Sequence, residues 1–251
     1  MLINKILLRN KTLYGALMII ILWYTMHFAI GSAIIPTPHD TFLTFVRLLP
    51  QPLLLHLAAS LGRILAAVAL SLAIGVSMGL WLGINQRADK FFSPMLYILY
   101  PLPKIALLPI FMILFGLGNT SKILLIIAIL IFQIIVTVRG GVRELTEELF
   151  LSARSLGMNR VQLYRHLILP AVLPKIITAL RISIGTSIAV LFFSENYAAT
   201  YGIGYFIMNR WSMVNYTEMF GGIVGLSILG FGLFKLIDFA EGELCIWIKI
   251  K

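Results

Sequence analysis

Few side chains in this sequence could carry covalent chemistry, and their spacing argues against it. The four histidines, His27, His39, His56 and His166, form no HExxH pair and no other metal-ligand spacing. Cys245 is the single cysteine, which excludes an internal disulfide and a cysteine-built metal site. Ser194–Glu195 has no histidine close in sequence to serve as a base. There is no glycine-rich phosphate loop, so the chain is not expected to hydrolyse nucleotides, to be an enzyme, or to need a cofactor or metal of its own. What remains is electrostatic. Arg63, Lys104, Arg181 and Glu195 stand inside long apolar runs, where an ionisable group costs roughly 2.5–3.5 kcal/mol or more and is a functional candidate by default. Lys104 or Arg181 could face a pathway and attract an anionic head group; Lys104, following Pro103 in a proline-rich run, is the better placed. Arg63 and Glu195 read instead as a structural ion pair, or Arg63 as a cap on carbonyls near the outer boundary, fastening helices together.

The elements that must hold these groups are membrane spans. Sixty per cent hydrophobic residues, 12% charged residues and a mean hydropathy of +0.97 exclude an ordinary soluble domain. A net charge of +10 could suggest nucleic acid, but in a membrane protein it reflects basic cytoplasmic loops, and no nucleic-acid partner is expected. A hydrocarbon core of about 30 Å needs ~20 apolar residues per helix. Residues 13–35 meet that length and exceed a signal-peptide core, which predicts a retained first span. A short interfacial helix follows over 41–49, and the core spans lie within 53–240: about 53–83, 94–115, 123–138, 173–193 and 219–239. Residues 85–90 read as a polar loop and 196–216 as an aromatic surface segment. The whole chain, 1–251, reads as a single transmembrane domain. Pro101, Pro103 and Pro109 should kink the third span. Gly75-x-x-x-Gly79 suits close helix packing.

Six spans place both termini on one side. With the N-terminus inside, Lys5, Arg9, Lys11, Arg87, Lys90, Arg139, Arg143, Arg154, Arg160, Arg165, Lys175, Lys249 and Lys251 are cytoplasmic, and only Arg47, Lys122 and Arg210 lie outside.

The least oily stretch, 146–170, falls on the cytoplasmic side. Thr146 reads as an N-cap, with Glu147 and Glu148 in the first turn. Leu149, Ala153 and Leu156 recur at helical spacing, and Gly157 stops the helix. Asn159 and Gln162 restart one as a capping-box variant, with Val161, Tyr164 and Ile168 on its apolar face and Pro170 at its end. The result is a helix–glycine–helix elbow. From the residues alone it could dock a partner through Leu149, Ala153 and Leu156, or lie on anionic lipid through Arg154, Arg160 and Arg165.

Ala153, Gly157, Leu167, Leu169 and Pro170 resemble a signature of permease subunits in bacterial ABC importers: Glu-Ala-Ala, three residues, Gly, nine residues, Ile-x-Leu-Pro. SLGR at 60–63, PLPKIALLPIFMILFGLG at 101–118, AVLPKIITALRISIG at 171–185 and SENYAATYGIGYFI at 194–207 resemble the branch serving sulfonates, taurine, nitrate and thiamine precursors. The signature acid falls on Leu151 and its first alanine on Ser152, which leaves Glu147 or Glu148 as the replacement. The resemblance implies an all-α integral membrane protein of the bacterial inner membrane, with six transmembrane helices, both termini cytoplasmic and a cytoplasmic coupling helix (the type I importer fold). It implies ATPase coupling through Leu149, Ser152, Ala153, Leu156, Gly157, Leu167, Leu169 and Pro170. It further implies a homodimer of permeases in membrane lipid, two cytoplasmic ATP-binding subunits that bind the ATP, an extracytoplasmic solute-binding protein, and alternating access for a small anion. The rival expectation is an ATPase-independent secondary carrier or a membrane scaffold.

Overall fold

Helix ends are set by short-range signals that can be read residue by residue. The computed structural model describes residues 11–247, and all regular structure among them is helical. Lys5, Arg9, Lys249 and Lys251 lie outside the described residues. Helix α1 (Lys11–Ile30) ends before Gly31, whose φ is +59°. Helix α2 (Pro38–Leu48) is capped by Thr37, whose hydroxyl accepts from the Asp40 N–H at 3.0 Å. After a kink at Pro50–Gln51–Pro52 comes α3 (Leu54–Ile84), long enough to cross a bilayer with turns to spare.

The supposed loop at 85–90 is in fact the start of a helix. Asn85 Oδ1 accepts from the Arg87 and Ala88 N–H groups at 3.1 and 3.2 Å, opening α4 (Gln86–Leu99). The expected third span is not one helix. Pro101 and Pro103 remove backbone donors, and α4 turns through a 3-10 segment (Lys104–Leu107) into α5 (Leu108–Phe115), the two halves bent by 80°. Among the described residues, five helices are long and apolar enough to cross a membrane, or six if this bent pair is one span.

Helix α6 (Asn119–Arg143) packs along α3 in the same direction, as the close approaches record. A Cβ on Gly75 would come within 2.8 Å of Ile134, one on Gly79 within 2.8 Å of Val138, and one on Gly83 within 2.5 Å of Val142. Glycine at every fourth position gives α3 a flat stripe, and Ile134, Val138 and Val142 fill it. Two parallel helices need a return between them, so α4 and α5 together carry the chain from the end of α3 back to the level of its start.

The elbow follows as α7 (Glu147–Ser155) and α8 (Arg160–Leu163), then a π turn (Tyr164–Ile168) runs into α9 (Leu169–Glu195). Pro170 therefore opens a helix instead of ending one: it sits in the first turn, where its missing N–H has no partner to lose. Helix α9 returns antiparallel to α3 and α6. Ile64, Leu125, Ile126, Leu130, Ile134, Val138, Val172 and Leu191 form the shared core.

Residues 196–216 are not a surface segment throughout. Helix α10 (Ile203–Ser212) buries Ile203, Phe206 and Ile207 against Phe45 and Leu53. Helix α11 (Tyr216–Leu244) closes the bundle, and Cys245 just beyond it is buried. Helix α1 stays outside the core, touching it through a Trp23 Nε1 bond to the Pro36 carbonyl at 3.1 Å and the Trp23–Phe220 ring pair.

Candidate functional site

The elbow is built by capping. Glu147 and Glu148 begin α7; Thr146 occupies the N-cap position without a side-chain bond to the helix. At the other end the Met158 N–H donates to the Ala153 carbonyl at 3.2 Å and the Gly157 N–H to the Arg154 carbonyl at 2.9 Å, with Gly157 at φ +73°. That is a Schellman stop, which needs the left-handed conformation glycine adopts without strain. Asn159 and Gln162 exchange bonds at 2.9 Å in a full capping box.

The expected apolar face divides. Ala153 and Ile168 turn inward and are buried, whereas Leu149, Leu151, Leu156 and Val161 are exposed, Leu156 to 76% and Val161 to 74%. Ser152 and Leu169 are exposed as well, and Leu167 and Pro170 half-buried. Between the elbow and the α3–α4 turn lies a cleft of about 600 Å³, lined by Gly83, Asp89, Arg143, Phe150, Arg154 and Leu163 among others.

Asp89 anchors that end of the bundle. Its carboxylate pairs with Arg139 and Arg143 of α6, and Ser93 Oγ donates to it at 3.0 Å. Sequence reasoning missed it, because an acid between Arg87 and Lys90 looks solvated.

At the opposite end, Arg63 of α3 pairs with Glu195 of α9, which is fully buried. Ser60 Oγ lies 2.7 and 2.9 Å from the two carboxylate oxygens, and the Gly204 N–H donates to Oε2 at 2.8 Å. Ser60 Oγ also accepts from the Ile203 N–H at 2.8 Å. Gly202 stands so close that a Cβ there would fall 2.3 Å from the Glu195 carboxyl carbon. Arg63 Nε donates to Asn119 Oδ1 at 2.9 Å. Lys122, expected as an external loop charge, is instead buried, its ammonium donating to the carbonyls of Leu117, Gly118 and Ala198 at 3.0–3.3 Å.

The structure does not bring Lys104 and Arg181 together. Lys104 Nζ donates to the Leu99 and Tyr100 carbonyls at 2.6 and 3.0 Å, groups freed where α4 breaks, and lies 4.8 Å from the Phe132 ring centroid. It also lines a cavity of about 400 Å³ with Gln133 and Thr186. Arg181 donates to Asp238 and Glu241 of α11 at 2.8 Å, so two acids already answer its charge. No group of three or more His, Cys, Asp or Glu side chains suited to a metal occurs among the described residues.

Comparison with known proteins places this geometry. Residues 71–241 match the family described as "Binding-protein-dependent transport system inner membrane component". The chain is 34% identical to the taurine transport system permease protein TauC of Escherichia coli (strain K12) over 176 residues, which are 70% of this chain and 64% of TauC, just under two thirds of that relative. It is 30% identical to the putative aliphatic sulfonates transport permease protein SsuC of Bacillus subtilis (strain 168) over 219 residues, 87% of this chain and 79% of that protein. Its backbone superposes on an inward-facing structure of the MetNI methionine ABC transporter with a TM-score of 0.66 at 21% identity, covering 75% of this chain and 94% of that one. By sequence match and by helical architecture, the chain belongs to the family of binding-protein-dependent transport inner-membrane components, the permease subunits of ABC importers, and has the type I importer permease fold.

Proposed function

We propose that this chain forms the translocation pathway of an importer for a small organic or inorganic anion, driven by ATP that separate subunits hydrolyse. The observation that carries the reading is the elbow. Leu156 and Val161 hold apolar side chains in the open on either side of a capped glycine stop, at the end of the bundle where Arg139, Arg143, Arg154, Arg160, Arg165 and Lys175 gather. The positive-inside rule assigns that end to the cytoplasm, with both termini on the same side. A short stiff lever with an apolar tip is what an ATPase cleft could grip. One chain supplies one elbow, so a homodimer over two ATP-binding subunits is the assembly that fits, with a solute-binding protein on the far face. Alternating access is the mechanism this assembly supports.

The names of TauC and SsuC, which specify taurine and aliphatic sulfonates, favour an anionic solute. Lys104, lining its cavity with Gln133 and Thr186, is the pathway residue we favour. Arg181, neutralised by Asp238 and Glu241, serves this reading better as a brace between α9 and α11.

The test is Leu156→Asp with Val161→Asp, both at exposed positions. The double variant should insert and stay monodisperse, lose co-purification with the ATPase, and lose ATP-driven uptake into proteoliposomes. Wild-type uptake by that variant would overturn the coupling role.

A further inference from the structure

The end of the bundle away from the elbow holds a second cavity, of about 420 Å³, with an unusual wall. Two cations, Arg63 and Lys122, line it, and no acid does. Glu195 sits behind Arg63 and is saturated by Arg63, Ser60 and the Gly204 N–H. Arg63 Nε and Nη1 are engaged by Asn119 and Glu195, which leaves Nη2 as the uncommitted donor of a side chain more than nine-tenths buried. Lys122 is held by three carbonyls and by no carboxylate, so the wall carries one positive charge more than its counter-ions cancel. Burial without a counter-ion is costly, and an anion seated in the cavity would relieve it. The start of α6 at Gly118–Asn119 adds backbone N–H groups at the same wall, and no side chain caps them. Thr200 and Tyr201, both exposed, form the rim.

We propose that this cavity is a binding site for a small oxyanion, a sulfonate, nitrate or carboxylate group, at which the solute lodges before it passes between the spans. The proposal rests on the permease reading above, and adds to it a place and a charge preference that the elbow does not supply. Arg63 offers its remaining Nη2 donor to an anion oxygen, while Lys122 supplies a fixed charge. A volume of this size accommodates a small solute and is too small for a second helix.

The experiment is calorimetric titration of methanesulfonate, nitrate and, as a cationic control, choline into the assembled permease–ATPase complex. Wild type, Thr200→Glu and Thr200→Gln are compared, since position 200 is exposed and a surface substitution of this kind changes stability little. The wild type should bind methanesulfonate and not choline, Thr200→Glu should weaken it about tenfold by setting a like charge at the rim, and Thr200→Gln should retain it. Equal binding by wild type and Thr200→Glu, or no binding of either anion by an intact complex, overturns the site while leaving the permease reading standing. A chain that recruits no ATPase overturns the reading beneath it.

Discussion

Replacing Glu195 by glutamine tests the physical account of the bundle most directly. The carboxylate is fully buried, with Oε1 accepting from Arg63 and Oε2 from the Gly204 N–H at 2.8 Å. Glutamine keeps the shape but presents one oxygen and one amino group. Whichever way it turns, that amino group faces a donor, either Gly204 or Arg63, and the guanidinium loses its counter-charge. Removing one partner of a buried pair costs about 3–5 kcal/mol, because the other charge stays behind. For a chain of this length each kcal/mol lowers the melting temperature by about 2–4 °C, so Glu195→Gln should melt roughly 6–20 °C below wild type. Tryptophan fluorescence during heating in detergent, with size-exclusion profiles alongside, would measure it. The double variant Arg63→Met/Glu195→Met removes both charges and should be more stable than Glu195→Gln. A glutamine variant melting within about 2 °C of wild type, or a double variant less stable than the single one, would refute the reasoning.

Two further outcomes follow from geometry. Gly79→Leu should strongly reduce the yield of monodisperse protein, since a Cβ there already meets Val138 at 2.8 Å and the Ile135 carbonyl at 3.0 Å; overpacking of that kind costs about 1–3 kcal/mol. Gly62→Leu, where a Cβ meets nothing within 4 Å, should leave the yield unchanged, and equal yields for the two would contradict the α3–α6 contact. Burial, reinforced by the negative charge of Glu241, raises the Cys245 thiol above its ordinary pKa. Less thiolate is then present near neutrality, so maleimide labelling of the native protein should be slow, gain with rising pH, and reach the rate of a free thiol only after denaturation. Fast labelling at pH 7 without denaturant would show that the thiol is not packed.

The parts of the molecule legible in sequence are those whose cause is local. Gly157 and the Asn159–Gln162 box were readable because a cap and its partner sit within a few residues. The spans around Arg63 and Arg181 were readable because about twenty apolar residues leave little choice of structure. What escaped is what the chain assembles at a distance. Asp89 and Asp40 are the only acids before Glu144, a scarcity that could have flagged Asp89, but its partners lie 50 and 54 residues further on. Lys122 looked external because it precedes an apolar run; the earlier start of α6 at Asn119 draws it under the 117–118 carbonyls. Proline chemistry announced a kink in the third span, yet its 80° size depends on packing that the dipeptides do not encode. Pro170 misled because a proline at a helix start and one at a helix end look alike without the backbone around them.

Helix α6 is riveted at both extremities, to α4 through Asp89 with Arg139 and Arg143 at one and to α3 through Arg63 with Asn119 at the other, with the glycine seam of α3 fitted flush against it between. A beam fastened in that manner can swing but cannot splay. Under the coupling role proposed above, a push at the elbow would travel along this beam, and the give would fall to the joints around it: the bend at Pro101–Pro103 and the hinge at Pro50–Pro52.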